Sequence, residues 1–118
     1  MTNKEYFQQA FWIDIQKETL HEEAESLRPF AEKNEKAAVL LERIEAELEA
    51  VLRHQAEIRE VIAEVRDLTL RLILEKRHLC FESWLRIGRE MGHTERWAQL
   101  KHRQALVVVQ AILDRRAA

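Results

Sequence analysis

The feature that most constrains this sequence is a run of mainly apolar residues that recur at alternating spacings of three and four. Its members are Leu41, Ile44, Leu48, Val51, Gln55, Ile58, Ile62 and Val65. Alternating spacings of three and four keep side chains on one stripe of an α-helix, and the charged residues beside the stripe favour solvent. The pattern predicts a coiled-coil-like helix with a seam, in which Gln55 is the polar member.

Two arrangements would bury this seam. A helix from the first part of the chain can fold back onto it, or a second copy of the chain can pair with it, parallel or antiparallel. The sequence favours the second arrangement, a homodimer. Further apolar residues at Val39, Leu40, Leu52 and Val61 widen the stripe, and we expect the first helix to cover that side.

The first helix is predicted to begin at a capping box formed by Thr2 and Glu5. In such a box the Thr hydroxyl accepts a hydrogen bond from the Glu amide, and the Glu carboxylate accepts one from the Thr amide. We expect Pro29 to end this helix, because proline has no amide donor and disfavours helical geometry in the residue before it. With only 2 Gly and 1 Pro, the chain has too few turn residues for a strand-rich fold, so the predicted class is all-α.

Charge is distributed unevenly along the chain. Residues 1–70 have 9 basic and 16 acidic side chains, a net charge of −7, whereas residues 71–118 have 10 and 5, a net charge of +5. Lys and Arg release counterions when they neutralise phosphates, so the C-terminal part is suited to a polyanion such as duplex DNA. We predict an acidic assembly region over 1–68 and a basic DNA-binding region over 69–118; an uneven surface without a nucleic-acid partner is the alternative.

The segment after Cys80 predicts two helices joined by a tight turn. Before it, Asp67 or Thr69 can cap a helix. Ser83 can cap a short helix that ends at Gly92, and Thr94 can cap the next one.

Small residues support a close crossing of these two helices. Gly88 lies where a small side chain lets the second helix approach, and the residues expected in the small core are Trp84, Ile87, Met91, Ala98, Ala105 and Leu106. This is the plan of a helix-turn-helix, whose second helix enters the major groove by its N-terminal end. An ordinary helical hairpin that binds no DNA fits the same pattern. The full fold prediction is therefore a long coiled-coil-like helical hairpin followed by a C-terminal helix-turn-helix.

Several polar side chains of the second helix are candidates for reading bases. Arg96 can pair with guanine and Gln99 with adenine, whereas Glu95 can accept from cytosine or simply stabilise the helix N-terminus. The phosphate candidates are Arg86, Arg89, Lys101, His102 and Arg103. Trp97 is expected in the core or an interface, and the apolar run 106–113 is expected to be buried.

Two blocks of the sequence resemble a known family. They are Met1-Thr2-Asn3-Lys4-Glu5-Tyr6 with Gln9-Ala10-Phe11-Trp12 and Asp14, and Arg77-His78-Leu79-Cys80-Phe81-Glu82-Ser83-Trp84 with Ile87, Met91-Gly92 and Ala105-Leu106. With the acidic helix between them, they are similar to small phage regulators of Gram-positive hosts related to RinA and ArpU. In that family the C-terminal module resembles region four of sigma factors. The resemblance implies DNA binding and control of phage gene expression in the host cytoplasm.

The chain departs from that family on the reading helix. The family usually has a Ser cap, a Val at the position of Ala98, an Arg at that of Leu100, an apolar residue at that of Lys101 and a Gly at that of Arg103. These departures imply either a different DNA target or weaker DNA binding in favour of a protein partner.

Other classes of function are poorly supported. The single Cys and scattered His residues lack the spacing of metal ligands, and no glycine-rich phosphate loop is present, so neither a metal nor another cofactor is expected. We expect no enzyme activity, no signal peptide and no membrane span. The alternative to a DNA reader is a helical module that docks on host RNA polymerase or inhibits a host protein.

Overall fold

The computed structural model describes all 118 residues and has five helices and no strands. The helices are α1 (Asn3–Ala31), α2 (Glu35–Ala63), α3 (Leu68–His78), α4 (Trp84–Glu90) and α5 (Glu95–Ala117). The all-α prediction is therefore confirmed. By packing, the chain forms two compact units: the first comprises residues 1–11 and 58–118, and the second comprises residues 12–57. This division differs from the functional boundary predicted at residue 68, which stays a prediction.

The second unit is a helical hairpin made from most of α1 and α2. Three residues join the helices, and the carbonyl of Phe30 accepts from the amide of Asn34 at 3.0 Å. Asn34 then begins α2, because its side-chain oxygen accepts from the amide of Ala37 at 3.2 Å. Across the hairpin, Arg28 Nη1 lies 3.5 Å from Glu45 Oε1. The first helix thus folds back on the second, which is one of the two arrangements that the sequence analysis considered for burying the seam.

Pro29 does not end α1, contrary to the sequence-based expectation. The helix continues to Ala31, with Pro29 inside its last turn. A proline this close to the end removes one amide donor, but the helix is terminated two residues later by the turn that Phe30 and Asn34 form.

The predicted seam lies along α2 and is largely buried within the single chain. Its buried members are Ile44, Leu48, Val51, Ile58, Ile62 and Val65, and its partly exposed members are Leu41 and Gln55. Val65 lies beyond the end of the helix and is fully buried. Because one chain already covers these side chains, a second copy could meet most of the seam only if the fold opened.

The expectation that the first helix covers the widened side of the stripe is wrong at three of four positions. Val61 is buried, but Val39, Leu40 and Leu52 are 54%, 44% and 42% exposed. The helix α2 has more apolar positions than one partner helix can cover, because a packed stripe spans only part of a helix circumference.

In the first unit, the beginning of α1 is attached to α5. The hydroxyl of Thr2 accepts from the amide of Glu5 at 3.2 Å, which is one of the two hydrogen bonds of the predicted capping box. The amide of Asn3 donates to Gln110 Oε1 at 2.8 Å, and Asn3 Nδ2 donates to the carbonyl of Leu106 at 3.2 Å. These bonds join residues more than 100 positions apart and hold the N-terminus beside the middle of α5.

The C-terminal helices pack on one another, with α3 and α4 both against α5. Asp67 caps α3 by accepting from the amide of Leu70 at 3.0 Å, which confirms one of the two predicted caps. The apolar run 106–113 is buried only on one side: Val109 and Ile112 are buried, whereas Val107 is 71% exposed. The expectation of complete burial was wrong because α5 has neighbours on only part of its circumference.

None of the five helices contains an apolar stretch of the length needed to span a bilayer.

Candidate nucleic-acid interface

Two capped helices and a glycine turn build the candidate site. Ser83 begins α4 by accepting from the amide of Arg86 at 3.2 Å, and Thr94 begins α5 by accepting from the amide of Trp97 at 3.1 Å. Gly92 between them has a φ of +73°, a left-handed conformation that is free of strain in glycine. All three roles were predicted from the sequence.

Gly88 brings α4 against the first residues of α5. A Cβ atom at this position would lie 2.7 Å from the backbone of Thr94 and 2.9 Å from the amide nitrogen of Glu95. The carbonyl of Gly88 also accepts from the amide of His93 at 2.8 Å. The absence of a side chain at Gly88 therefore determines how closely the two helices approach.

A small apolar core lies beneath this crossing. Ile73 of α3, Ile87 of α4 and Ala98 of α5 are fully buried together. Partly buried hydrophobic residues pack around them, namely Trp84, Met91 and Trp97. Of the residues expected in this core, Ala105 is also buried, whereas Leu106 lines a hollow described below.

The opposite side of α5 faces outward. A shallow depression there is lined by Thr94, Glu95, Arg96, Gln99, Leu100 and Arg103. We call these residues the outward face of α5. The side chains of Arg96, Gln99 and Arg103 are exposed and form no ion pair or hydrogen bond with the rest of the chain. The structure thus brings together the three predicted base readers and one of the phosphate candidates.

The other phosphate candidates lie in different surroundings. Arg89 is exposed at the end of α4 and has no ion-pair partner in the chain. Arg86 Nε lies 2.8 Å from Glu90 Oε1, so its charge is already balanced. The hydrogen bond from Lys76 to Glu90, helped by Arg86, lowers the pKa of that carboxyl to about 2. Arg86 is therefore a weaker candidate than Arg89.

Lys101 and His102 lie away from the outward face. Lys101 is partly buried on the flank of α5, with Nζ 3.4 Å from Gln104 Oε1. His102 points into the first unit, where its Nε2 is 2.8 Å from Nε2 of His78. Burial lowers the pKa of His102 to about 4, so its ring is neutral at physiological pH. A neutral, inward ring adds no positive charge for a phosphate, so His102 is the weakest of the phosphate candidates.

Two residues outside the candidate set, Leu100 and Trp97, also belong to this region of α5. Leu100 is 48% exposed on the outward face, and its spacing of four from Arg96 is the sequence signal for that position. Trp97 packs on the small core, as expected, and its ring stacks on that of His93 with centroids 3.8 Å apart. Trp97 is therefore part of the support beneath the face.

Comparisons with protein-family models, with curated proteins and with solved structures give no significant match to this chain.

Proposed function

We propose that this chain binds duplex DNA and regulates transcription through a helix-turn-helix formed by α4, residues 91–94 and α5. One observation carries the proposal. Arg96, Gln99 and Arg103 stand exposed and without partners in the chain on the first turns of α5, the helix that a reader of this kind inserts into the major groove. The resemblance to small phage regulators is the reason for proposing control of phage genes in a host cytoplasm.

The chemistry of the outward face suits duplex DNA. Arg96 can donate two hydrogen bonds to guanine, and Gln99 can pair with adenine in the same way. Arg103 lies two turns after Arg96, and Arg89 lies at the end of α4, so both suit phosphates at the edge of the groove. Glu95 lies at the first turn of α5, where a carboxylate is favoured by the helix dipole or can accept from cytosine.

The charges of the two compact units support the same partner. From the sequence and the unit boundaries, residues 12–57 have 6 basic and 12 acidic side chains, a net charge of −6. The other unit has 13 basic and 9 acidic side chains, a net charge of +4. A polyanion is attracted by one unit and repelled by the other, so contact through the basic unit is favoured.

The decisive experiment is a titration of a random-sequence duplex at several salt concentrations, read by fluorescence anisotropy. We expect binding that weakens steeply with salt, and a double variant Arg96→Ala/Arg103→Ala that binds less tightly with a flatter salt dependence. The matched control is Arg43→Ala/Arg53→Ala, which removes the same charge from exposed positions of α2. If both double variants bind alike, or the wild type does not bind, the outward face is not a DNA interface.

Base reading and phosphate contact can be separated with the single variants. Selection from a random duplex library gives the preferred site of the wild type. Arg103→Ala is expected to weaken specific and random duplexes alike, whereas Arg96→Ala relaxes one base preference, at a cost of roughly 1 to 3 kcal/mol at that base pair. A library from which the wild type enriches no sequence would contradict base reading.

A second candidate function is docking on a protein such as host RNA polymerase. The net charge of −6 on the second unit and its exposed Val39, Leu40 and Leu52 favour this alternative. If the chain does not bind duplex DNA but binds purified host polymerase in a salt-sensitive manner, the result would favour docking on a protein. In either case a homodimer stays a prediction, to be tested by the molar mass in solution.

A further inference from the structure

A hollow of about 670 Å³ opens in the first unit, among the beginning of α1, the end of α3 and the middle of α5. Its walls are mostly apolar and include Phe7, Phe11, Phe81 and Leu106. A volume of this size suits a small organic molecule, since ligand pockets commonly measure about 300 to 1,000 Å³. The outward face of α5 shares no lining residue with it.

Two neutral histidines form part of the wall. Nε2 of His78 lies 2.8 Å from Nε2 of His102, so one ring donates and the other accepts. Phe7 stacks on His78 with ring centroids 3.8 Å apart. Burial, with the charge of Arg77 as a further cause, lowers the pKa of His78 to about 3 and that of His102 to about 4. The pair therefore presents flat aromatic surface without adding positive charge.

Positive charge comes instead from Arg77 and Lys4, which also line the hollow. The guanidinium of Arg77 donates to the carbonyl of Glu82 at 2.9 Å and lies 4.3 Å from the ring centroid of Trp84. Neither Arg77 nor Lys4 forms an ion pair, and no carboxylate lines the hollow. Lys4 is exposed at the rim, whereas Arg77 is partly buried, and a cation in partly desolvated surroundings favours an anionic group on a ligand.

The backbone holds one aromatic wall in a strained conformation. Phe81 has a φ of +55°, a left-handed conformation that is unfavourable for a residue with a Cβ. The next residue, Glu82, is held by two hydrogen bonds. Its amide donates to the carbonyl of Lys76, and its carbonyl accepts from the guanidinium of Arg77. The ring of Phe81 then meets that of Phe11 at 6.0 Å, edge to face. Glycine would relax this backbone but would leave the hollow without that ring.

We propose that this hollow binds a small planar aromatic anion. Its carboxylate meets Arg77 and Lys4, and its ring lies among Phe7, Phe11 and Phe81. The proposal concerns a ligand site and does not depend on DNA binding.

The test uses two probes of the same ring, 2-naphthoate and the neutral 2-naphthalenemethanol, titrated into the full chain by calorimetry. We expect the acid to bind about tenfold more tightly than the alcohol, because only the carboxylate can form charge-assisted hydrogen bonds with the two cations. Arg77→Gln should reduce this preference. Equal affinities of the wild type for the two probes, or no binding of either at millimolar concentration, would overturn the proposal.

Phe81→Gly separates the binding site from the stability of the fold. The variant relaxes the left-handed backbone, which offsets part of the packing lost with the ring, so its Tm should stay close to that of the wild type. Loss of the ring should weaken 2-naphthoate binding by about tenfold. Phe30→Gly, which removes an exposed phenyl group in the second unit, is the matched control and should bind 2-naphthoate normally. Unchanged affinity in Phe81→Gly would refute the site, whether or not Arg77→Gln folds.

Discussion

A Cβ atom on Gly88 would lie 2.7 Å from both the carbonyl carbon and the carbonyl oxygen of Thr94. Backbone atoms cannot rotate away from such a contact as the end of a flexible side chain can. The start of α5 would have to move. Because Thr94 caps the helix that presents Arg96 and Gln99, the spacing at Gly88 also sets where those side chains stand.

Gly88→Ala is therefore expected to destabilise the protein although alanine is the better helix former. Overpacking costs about 1 to 3 kcal/mol, whereas replacing a helical glycine by alanine gains roughly 1 kcal/mol in helix propensity. The cost exceeds the gain only if the clash is large. We expect a net loss larger than that of Gly92→Ala, where a Cβ meets nothing within 4 Å and only the backbone is strained. Urea unfolding of the two variants measures the comparison, and a smaller loss for Gly88→Ala would contradict the contact.

The partly buried histidine pair predicts a loss of stability in mild acid. The folded-state pKa values of His78 and His102, about 3 and about 4, lie below the ordinary value of 6.5. The unfolded chain thus binds protons that the folded chain does not. The stability that depends on the neutral pair is complete above about pH 6.5 and is lost as the pH falls towards 3. If the folded state excludes both protons, the free energy of unfolding should fall by up to about 2.7 kcal/mol per pH unit near pH 5.

Urea unfolding at a series of pH values between 7 and about 4.5 tests this slope. His78→Gln keeps a donor and an acceptor but cannot titrate, so its free energy of unfolding should fall less steeply with acid than that of the wild type. His54→Gln is the control, because His54 is exposed on α2. Parallel curves for the wild type and His78→Gln would show that the pair does not determine acid sensitivity.

Local features of the fold could be predicted from the sequence, because they depend on neighbouring residues. The capping oxygens of Thr2, Ser83 and Thr94 and the left-handed turn at Gly92 follow from residue types a few positions apart. The end of α1 could not be placed in this way, since Pro29 is tolerated in a last turn.

Long-range contacts in the first unit lay beyond the reach of local patterns. Nothing in the spacing of His78 and His102 indicates that their rings meet, because this depends on how α3 packs on α5. The same holds for the bond from Asn3 to Gln110. For this reason the sequence suggested His102 as a phosphate contact, although the fold turns its ring inward.

The burial of the seam within one chain predicts how the protein unfolds. If the seam is intramolecular, the Tm of the wild type should not change with protein concentration, whereas a seam shared between two copies would raise it. Leu48→Lys/Ile58→Lys should abolish cooperative unfolding, because each change buries an unpaired charge. Circular dichroism melts across a wide concentration range, with light scattering for the molar mass, check both points. A Tm that rises with concentration would favour the shared seam.

A positive charge added at Leu100 is expected to strengthen DNA binding. This side chain is 48% exposed among the residues of the outward face, so an arginine there can reach a phosphate without disturbing the core. Leu100→Arg should tighten duplex binding and steepen the dependence of log K on log salt by about 0.9 for the added contact. Leu52→Arg adds the same charge at a leucine that is 42% exposed on α2, in the acidic unit. If the proposed interface is correct, only the first variant gains affinity; an equal gain in both would mean that net charge, and not this face, governs binding.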